Sequence, residues 1–371
     1  MSLRILDSLD SVVPADWDRL AGGHPTLAHA FLDSLHAAGC ATPQTGWAPQ
    51  YLTLWEGERI VGAVPLYLKG HSYGEYVFDW AWAEAHEQHG LAYYPKLLAA
   101  VPFTPATGPR LLAESDVVRN QLALALLDLA KRSDVSSLHV LFPTEADAEV
   151  LRGAGMLERT GVQFHWSNPG YATFDDFLAA LSHDKRKKIR QERRKLDEAG
   201  IAFRRVTGRD ATEADCDFFT QCYRRTYRAH RSTPYLNRKF FGLLASRMPD
   251  NVLLVIAERE GKPVASAMDL FTPAALYGRY WGAMEYVPGL HFETCFYQAM
   301  AFCIERGIPR FEGGAQGEHK HARGFLPEVT RSFHWLAHPA FERAVDDYLE
   351  REGEHIAAYV DELNERTPFR K

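Results

Sequence analysis

A chain of 371 residues with 46% hydrophobic and 24% charged residues has the makeup of a soluble globular protein, and its length exceeds one ordinary core, so two domains are expected. The net charge of -6 argues against a general nucleic-acid binder but leaves room for a local basic patch. Five cysteines without a C-x-x-C pair, no apolar signal core at the start and no run of about 18 apolar residues point to a reducing, cytoplasmic setting with no integral membrane part.

In chain order, Pro14 opens a short helix, and Thr26 is expected to cap a second one that shows Phe31, Leu32 and Leu35 on one face. A β-rich stretch over 51–55, a turn at 56–58 and a return over 59–68 read as a hairpin. Pro65 marks a bulge or an edge in the returning strand. A helix over 116–131, with Val118, Leu122, Leu126 and Leu129 in a stripe, leads to a strand over 138–142. The residues Trp166-Ser-Asn-Pro-Gly170 have the chemistry of a linker. Beyond it, Thr173 and Asp176 form a capping box for a helix running to Gly200. Within that helix, eight of the eleven residues 185–195 are basic and one, Glu192, is acidic. Like charges three and four apart repel on a helix, so a phosphate-bearing ligand met by Lys187 and Arg190 competes here with a plain solvated face.

The first half's order then recurs. A hairpin spans 252–271, a third strand 275–282, a helix 293–306 with Gly307 at its C-cap, and a strand 309–312. A helix over 339–364 is expected to pack on this second half. The boundaries follow as 1–167 and 168–371, the latter including the basic helix 174–199. Helices, antiparallel hairpin, strand, helix and strand, taken twice, define an α/β (α+β) fold with mixed sheets. The order resembles the acyltransferase fold of the GNAT superfamily, duplicated in tandem.

Two polar stretches carry the chemistry. The first, 311–325, packs Gly313, Gly314, Gly317, Glu318, His319, Lys320 and Arg323 around Gln316, between two expected strands. A crossing so rich in glycine and charge is costly unless its backbone approaches a ligand or takes positive φ. The second runs from Lys69 through His71, Ser72, Tyr73, Glu75 and Asp79, and is joined by Lys96 and Arg110. Gly70-His-Ser-Tyr-Gly74 has the G-x-S-x-G spacing, but an antiparallel hairpin precedes it where a serine hydrolase needs a parallel strand, turn and helix. Arg310 to Ala315 has the R-x-x-G-x-A spacing of a coenzyme A loop, one strand too late in the chain. The residues Glu318-His-Lys-His321 lack metal-ligand spacing, and no metal is expected.

The blocks 66–79, 94–96, 102–105, 185–190, 314–320 and 323–327 resemble the signatures of one bacterial family, the Fem-like predicted N-acyltransferases of the GNAT superfamily, tied to peptidoglycan biosynthesis. The resemblance implies transfer of an acyl or aminoacyl group to an amine. The donor would be acyl-CoA or aminoacyl-tRNA, a co-substrate and not a tightly bound cofactor. The acceptor would be a small-molecule or peptide amine, including a peptidoglycan precursor, with tRNA or another phosphate-bearing ligand on the basic helix. The alternative is a GNAT-like module that binds a peptidoglycan or nucleotide-sugar ligand without turnover. On the first reading Glu318, His319 and Lys320 are catalytic, with Glu75 and His71 the second choice. Lys69, Ser72, Tyr73, Asp79, Lys96, Arg110, Gln316, Arg323, Lys187 and Arg190 would contact substrate, and Gly313, Gly314 and Gly317 the donor.

Overall fold

The computed structural model describes residues 1–314 and 317–370. They form two compact units, Met1–Val162 with Val329–Tyr359, and Gln163–Glu328 with Val360–Lys371.

In the first unit the strands are β1 (Ser2–Leu6), β2 (Trp47–Pro49), β3 (Tyr51–Glu56), β4 (Arg59–Val64), β5 (Leu66–Lys69), β6 (Lys96–Ala99), β7 (Leu112–Ala113) and β8 (Ser137–Leu141). Its helices are α1 (Pro14–Ala21), α2 (His29–Ala37), α3 (Trp80–Gln88), α4 (Asp116–Arg132) and α5 (Glu145–Gly153). Strands β1, β3, β4 and β7 make one antiparallel sheet. Pro65 lies where the returning strand leaves that sheet: β4 ends at Val64, and β5 pairs instead with β2 and β6. A residue without an N–H suits such a corner, because no ladder bond is lost. β6 and β8 are parallel, joined by a crossover that contains α4. Val118, Leu122 and Leu126 of α4 are buried in the core, as their spacing requires, with Ser115 capping Val118 N–H. Thr26 does not cap α2. That helix starts two residues later, and the Thr26 hydroxyl bonds the His24 ring instead.

Strand β9 (Leu157–Ser167) carries the chain from the first unit into the second, so Trp166 is a fully buried strand residue and not part of a linker; the turn begins at Asn168. The second unit holds α6 (Phe174–Ala180), α7 (His183–Glu198), β10 (Ile201–Thr207), α8 (Glu213–Ala229), α9 (Arg238–Arg247), β11 (Val252–Arg259), β12 (Lys262–Phe271) and β13 (Leu276–Ala283). A long helix follows: α10 (Leu290–Phe292), a π-helical turn over Glu293–Tyr297, and α11 (Gln298–Arg306). It leads to β14 (Arg310–Glu312), a 3-10 turn over Glu318–Arg323, and β15 (Leu326–Leu336), which returns the chain to the first unit before α12 (Pro339–Glu365).

Strands β10 to β13 form an antiparallel run, and β14 adds in parallel to β13. The β11–β12 turn places Glu260 and Gly261 both at positive φ, the geometry that two-residue hairpins prefer. Gly307, at φ 66°, ends α11. The Thr173 capping box is present, but the single helix expected over 174–199 is two. Leu181 is extended and bridges Phe369, while Ser182 N–H bonds the Pro368 carbonyl, so a contact with the distant C-terminus interrupts the helix. Most of α12, up to Tyr359, groups with the first unit, where Val345 and Leu349 join Trp82 and Tyr93 in a core, and not with the second half. No helix among the described residues is long and apolar enough to cross a membrane.

Candidate functional site

In the second unit, the parallel pairing of β13 and β14 covers Leu276 with Phe311 and Tyr277 with Glu312 among the described residues. Just beyond those pairs, Gly278 on one strand stays beside Gly314 after the other. A Cβ on Gly314 would lie in ordinary contact with the Gly278 carbonyl, at 3.4 Å, whereas one on Gly313 would crowd Phe325 and Lys320 at 3.0 and 3.1 Å. Gly314 and Gly317 have φ of 82° and 116°, which L side chains rarely adopt. Gln316 lies outside the described residues.

The 3-10 turn then sorts its charges. Glu318 and His319 face solvent, whereas Lys320, His321 and Arg323 are buried. Lys320 Nζ donates to the Gly314 carbonyl at 3.0 Å, and burial lowers its pKa to about 8. The His319 ring packs among Phe292, Phe296 and His291, with centroids 5.6, 6.1 and 5.9 Å away. Partial burial, then the charges of Lys320 and Arg323, push its pKa below the ordinary histidine value, so the neutral imidazole prevails at pH 7. Arg323 stacks 3.2 Å from the Phe292 ring centroid, bonds the His319 carbonyl at 2.9 Å and pairs with Glu192 at 2.8 Å. Beside the far half of β13, a cavity of about 490 Å³ is lined by Arg225, Trp281, Tyr286, Leu290, His291 and Phe292.

On α7, Lys187 and Arg190 are exposed, and Arg190 pairs with Asp175 at 3.2 Å. The helix buries Ile189 and Leu196 and turns Glu192 inward with them, so it has an inner face as well as a charged outer one.

The first unit gathers the other expected residues into a closed cluster. Lys96 is fully buried, and its three N–H donors go to Ser72 (2.8 Å), Glu75 (2.8 Å) and Asp79. Lys69, also fully buried, sits 3.6 Å above the Trp47 ring and 3.8 Å from Glu75. Burial drives Lys69 down to about 7 and Glu75 up to about 7. Asp79 resists the same burial because Lys96 lies beside it, and drops to about 2. Lys96 is raised against its own burial by Glu75 and Asp79, so it stays protonated and cannot act as the base of a serine nucleophile. Ser72 bonds Tyr94, and the strand before it is antiparallel to its neighbours, so the elbow geometry of a hydrolase is missing. His71 bonds the Thr45 carbonyl, and Tyr73 is exposed against Trp80. The Arg110 guanidinium faces the carbonyls of Ala106, Gly108, Pro109 and Leu141, a loop-shaping role.

Sequence reasoning missed His139 and His334. Their Nδ1 atoms lie 2.7 Å apart, both rings are kept neutral by burial, and His139 reaches Tyr93, which donates to Asp79. The signal was there: Ser137 and Ser332 each stand two residues before the histidine that they bond, the same-face spacing of a strand. Glu192 and Phe292 were also missed, because an acid in a basic run and a phenylalanine on a helix stripe both read as ordinary.

Each unit thus has an antiparallel hairpin and a parallel strand pair linked across a helix, and the chain is a mixed α/β protein with this pattern taken twice. It belongs to the FemAB-like family, described as peptidoglycan biosynthesis/recognition, which matches residues 8–371. Among solved structures, FemX is similar at 11% identity and a TM-score of 0.58, over 93% of this chain and 100% of that one. The DUF2156 C-terminal domain of a protein described as a lysylphosphatidylglycerol synthetase from Agrobacterium fabrum is similar at 12% and 0.55, over 91% and 96%. L-PGS from Bacillus licheniformis is similar at 8% and 0.52, over 91% and 97%. At such identities the likeness speaks for the fold. No curated protein matches the chain.

Proposed function

We propose that the chain is an N-acyltransferase that moves an acyl or aminoacyl group from an activated donor, acyl-CoA or aminoacyl-tRNA, to an amine, with a peptidoglycan precursor as the acceptor class. The observation that carries this reading is His319, exposed on its turn and packed against Phe292 and His291, both of which also line the cavity of about 490 Å³. That cavity, bounded also by Trp281, offers a donor room beside the candidate base.

The amine attacks the donor's carbonyl carbon. A C–N bond forms, the donor's C–S or C–O bond breaks, and the proton from nitrogen goes by way of His319 to the departing thiolate or alkoxide. A lysine-like amine has a pKa near 10.4, so deprotonating it at pH 7 costs about 4–5 kcal/mol. The His319 imidazole offsets part of that cost as proton acceptor, with Glu318 as its exposed neighbour. Lys320, mostly protonated at pH 7, supplies positive charge for the developing oxyanion, together with the glycine backbone. The exposed residues of α7, Lys187 and Arg190 among them, meet the phosphates of the donor or acceptor. The test is release of free thiol or tRNA from a panel of acyl-CoAs and aminoacyl-tRNAs with an amine acceptor. Full turnover in both His319→Ala and Glu318→Gln would take this turn out of the chemistry.

A further inference from the structure

The basic helix α7 holds one acid in its charged run, and that acid does not face its neighbours' charges in solvent. Glu192 points inward, with one carboxylate oxygen accepting from Arg323 at 2.8 Å and the other from the Tyr297 hydroxyl at 2.7 Å. Arg193, the next residue, lies 3.1 Å from Glu293. Glu293 and Tyr297 are the two ends of the π-helical turn, and such wide turns recur at functional sites. Arg323 completes the chain of contacts. It is buried, Glu192 is its ion-pair partner, and its other nitrogen holds the His319 carbonyl while its plane lies on Phe292, against which the His319 ring packs.

We propose that Glu192 is a positioning residue for His319, holding backbone and ring of the candidate base through Arg323 and so joining the basic helix to the reactive turn. The inference rests on His319 being the base. A solvated helix face requires none of these contacts, and a helix held only by packing needs Ile189 and Leu196 but no inward-facing carboxylate. The charged and titratable groups around His319 are Glu318, Lys320 and Arg323 on its own turn, His291 on α10 and, behind Arg323, Glu192 on α7. Without the Glu192 charge, the Arg323 cation bears uncompensated on the imidazole, and protonating it becomes harder.

The experiment is an NMR titration of the His319 ring in the full chain, wild type against Glu192→Gln, which needs no knowledge of the substrate. The midpoint should fall by about half a pH unit, and the acid limb of the transfer rate should move with it, with kcat down about tenfold and KM little changed. Glu192→Ala should shift the titration the same way, and it serves where the glutamine variant folds poorly. Arg194→Gln, on the outer face of the same helix, should leave the midpoint where it is. An unchanged His319 titration in both Glu192 variants overturns the proposal, as does an equal shift in Arg194→Gln. If those variants leave the titration unmoved while His319→Ala is inactive, only the positioning role is lost. A fully active His319→Ala removes the base and the positioning role together.

Discussion

The Lys69–Lys96 cluster of the first unit and the 318–323 turn of the second are built from the same chemical stock: two cations, at least one carboxylate, and histidines held neutral. They end in opposite states. In the cluster, Lys96 gives every donor to Ser72, Glu75 and Asp79, and no part of Lys69 or Lys96 reaches solvent. In the turn, Lys320 and Arg323 are buried to brace a backbone whose next residues, Glu318 and His319, stay open. The first arrangement spends its charge on holding the 69–79 loop against β6. The second spends it on a backbone that leaves Glu318 and His319 exposed.

That contrast can be broken most forcefully in the cluster. Lys96→Met keeps the side chain's volume but strands Glu75 and Asp79 as buried carboxylates, and the fold should lose about 3–5 kcal/mol, read by urea denaturation. A loss under 1 kcal/mol would mean that the cluster is not closed. The turn should answer the other way. His319→Ala should lower transfer about 100-fold or more, equivalent to about 2.7 kcal/mol, with little change in melting temperature, because an exposed ring contributes little to folding.

Acidity separates the two regions as well. Asp79 has a folded pKa of about 2 against the ordinary 3.8, so its contribution is complete above about pH 4 and is lost as the pH falls toward 2. The contribution amounts to about 2 kcal/mol. Asp79→Asn should remove that portion of the acid dependence in denaturation measured between pH 5 and 2. The His319 pKa lies below the ordinary 6.5, so transfer should be lost on the acid side only below that value, as the ring is protonated. An acid limb centred above pH 6.5 would point to another base. The smallest effect belongs to the outer face of α7. Reversing Arg186, Lys187 and Arg190 to glutamate should weaken tRNA binding about tenfold at low salt, and less as salt rises. Unchanged binding would return that face to plain solvation.

Much of the architecture was legible because it is written over a few neighbouring residues. The stripe of Val118, Leu122 and Leu126, the Glu260-Gly261 turn, Gly307 at its cap and the Thr173 box each depend on local spacing or on one residue's permitted φ. The gathering of Lys69, Ser72, Glu75, Asp79 and Lys96 was half legible, since the residues were singled out but their mutual satisfaction was not. Pairing across 17 to 24 residues, as from Lys96 to Asp79, Glu75 and Ser72, leaves no periodic trace.

By itself the sequence determined several helices and strands, how the hairpins turn, and which two polar stretches gather charge beside glycine. Only the tertiary structure decided that Leu181 breaks the 174–199 helix against Phe369, that most of α12 belongs to the first unit, and that Glu192 faces Arg323 and not its basic neighbours. The reason is physical. Periodicity and backbone preference are properties of consecutive residues, whereas the fate of a charge is set by the desolvation and partners that remote segments bring to it.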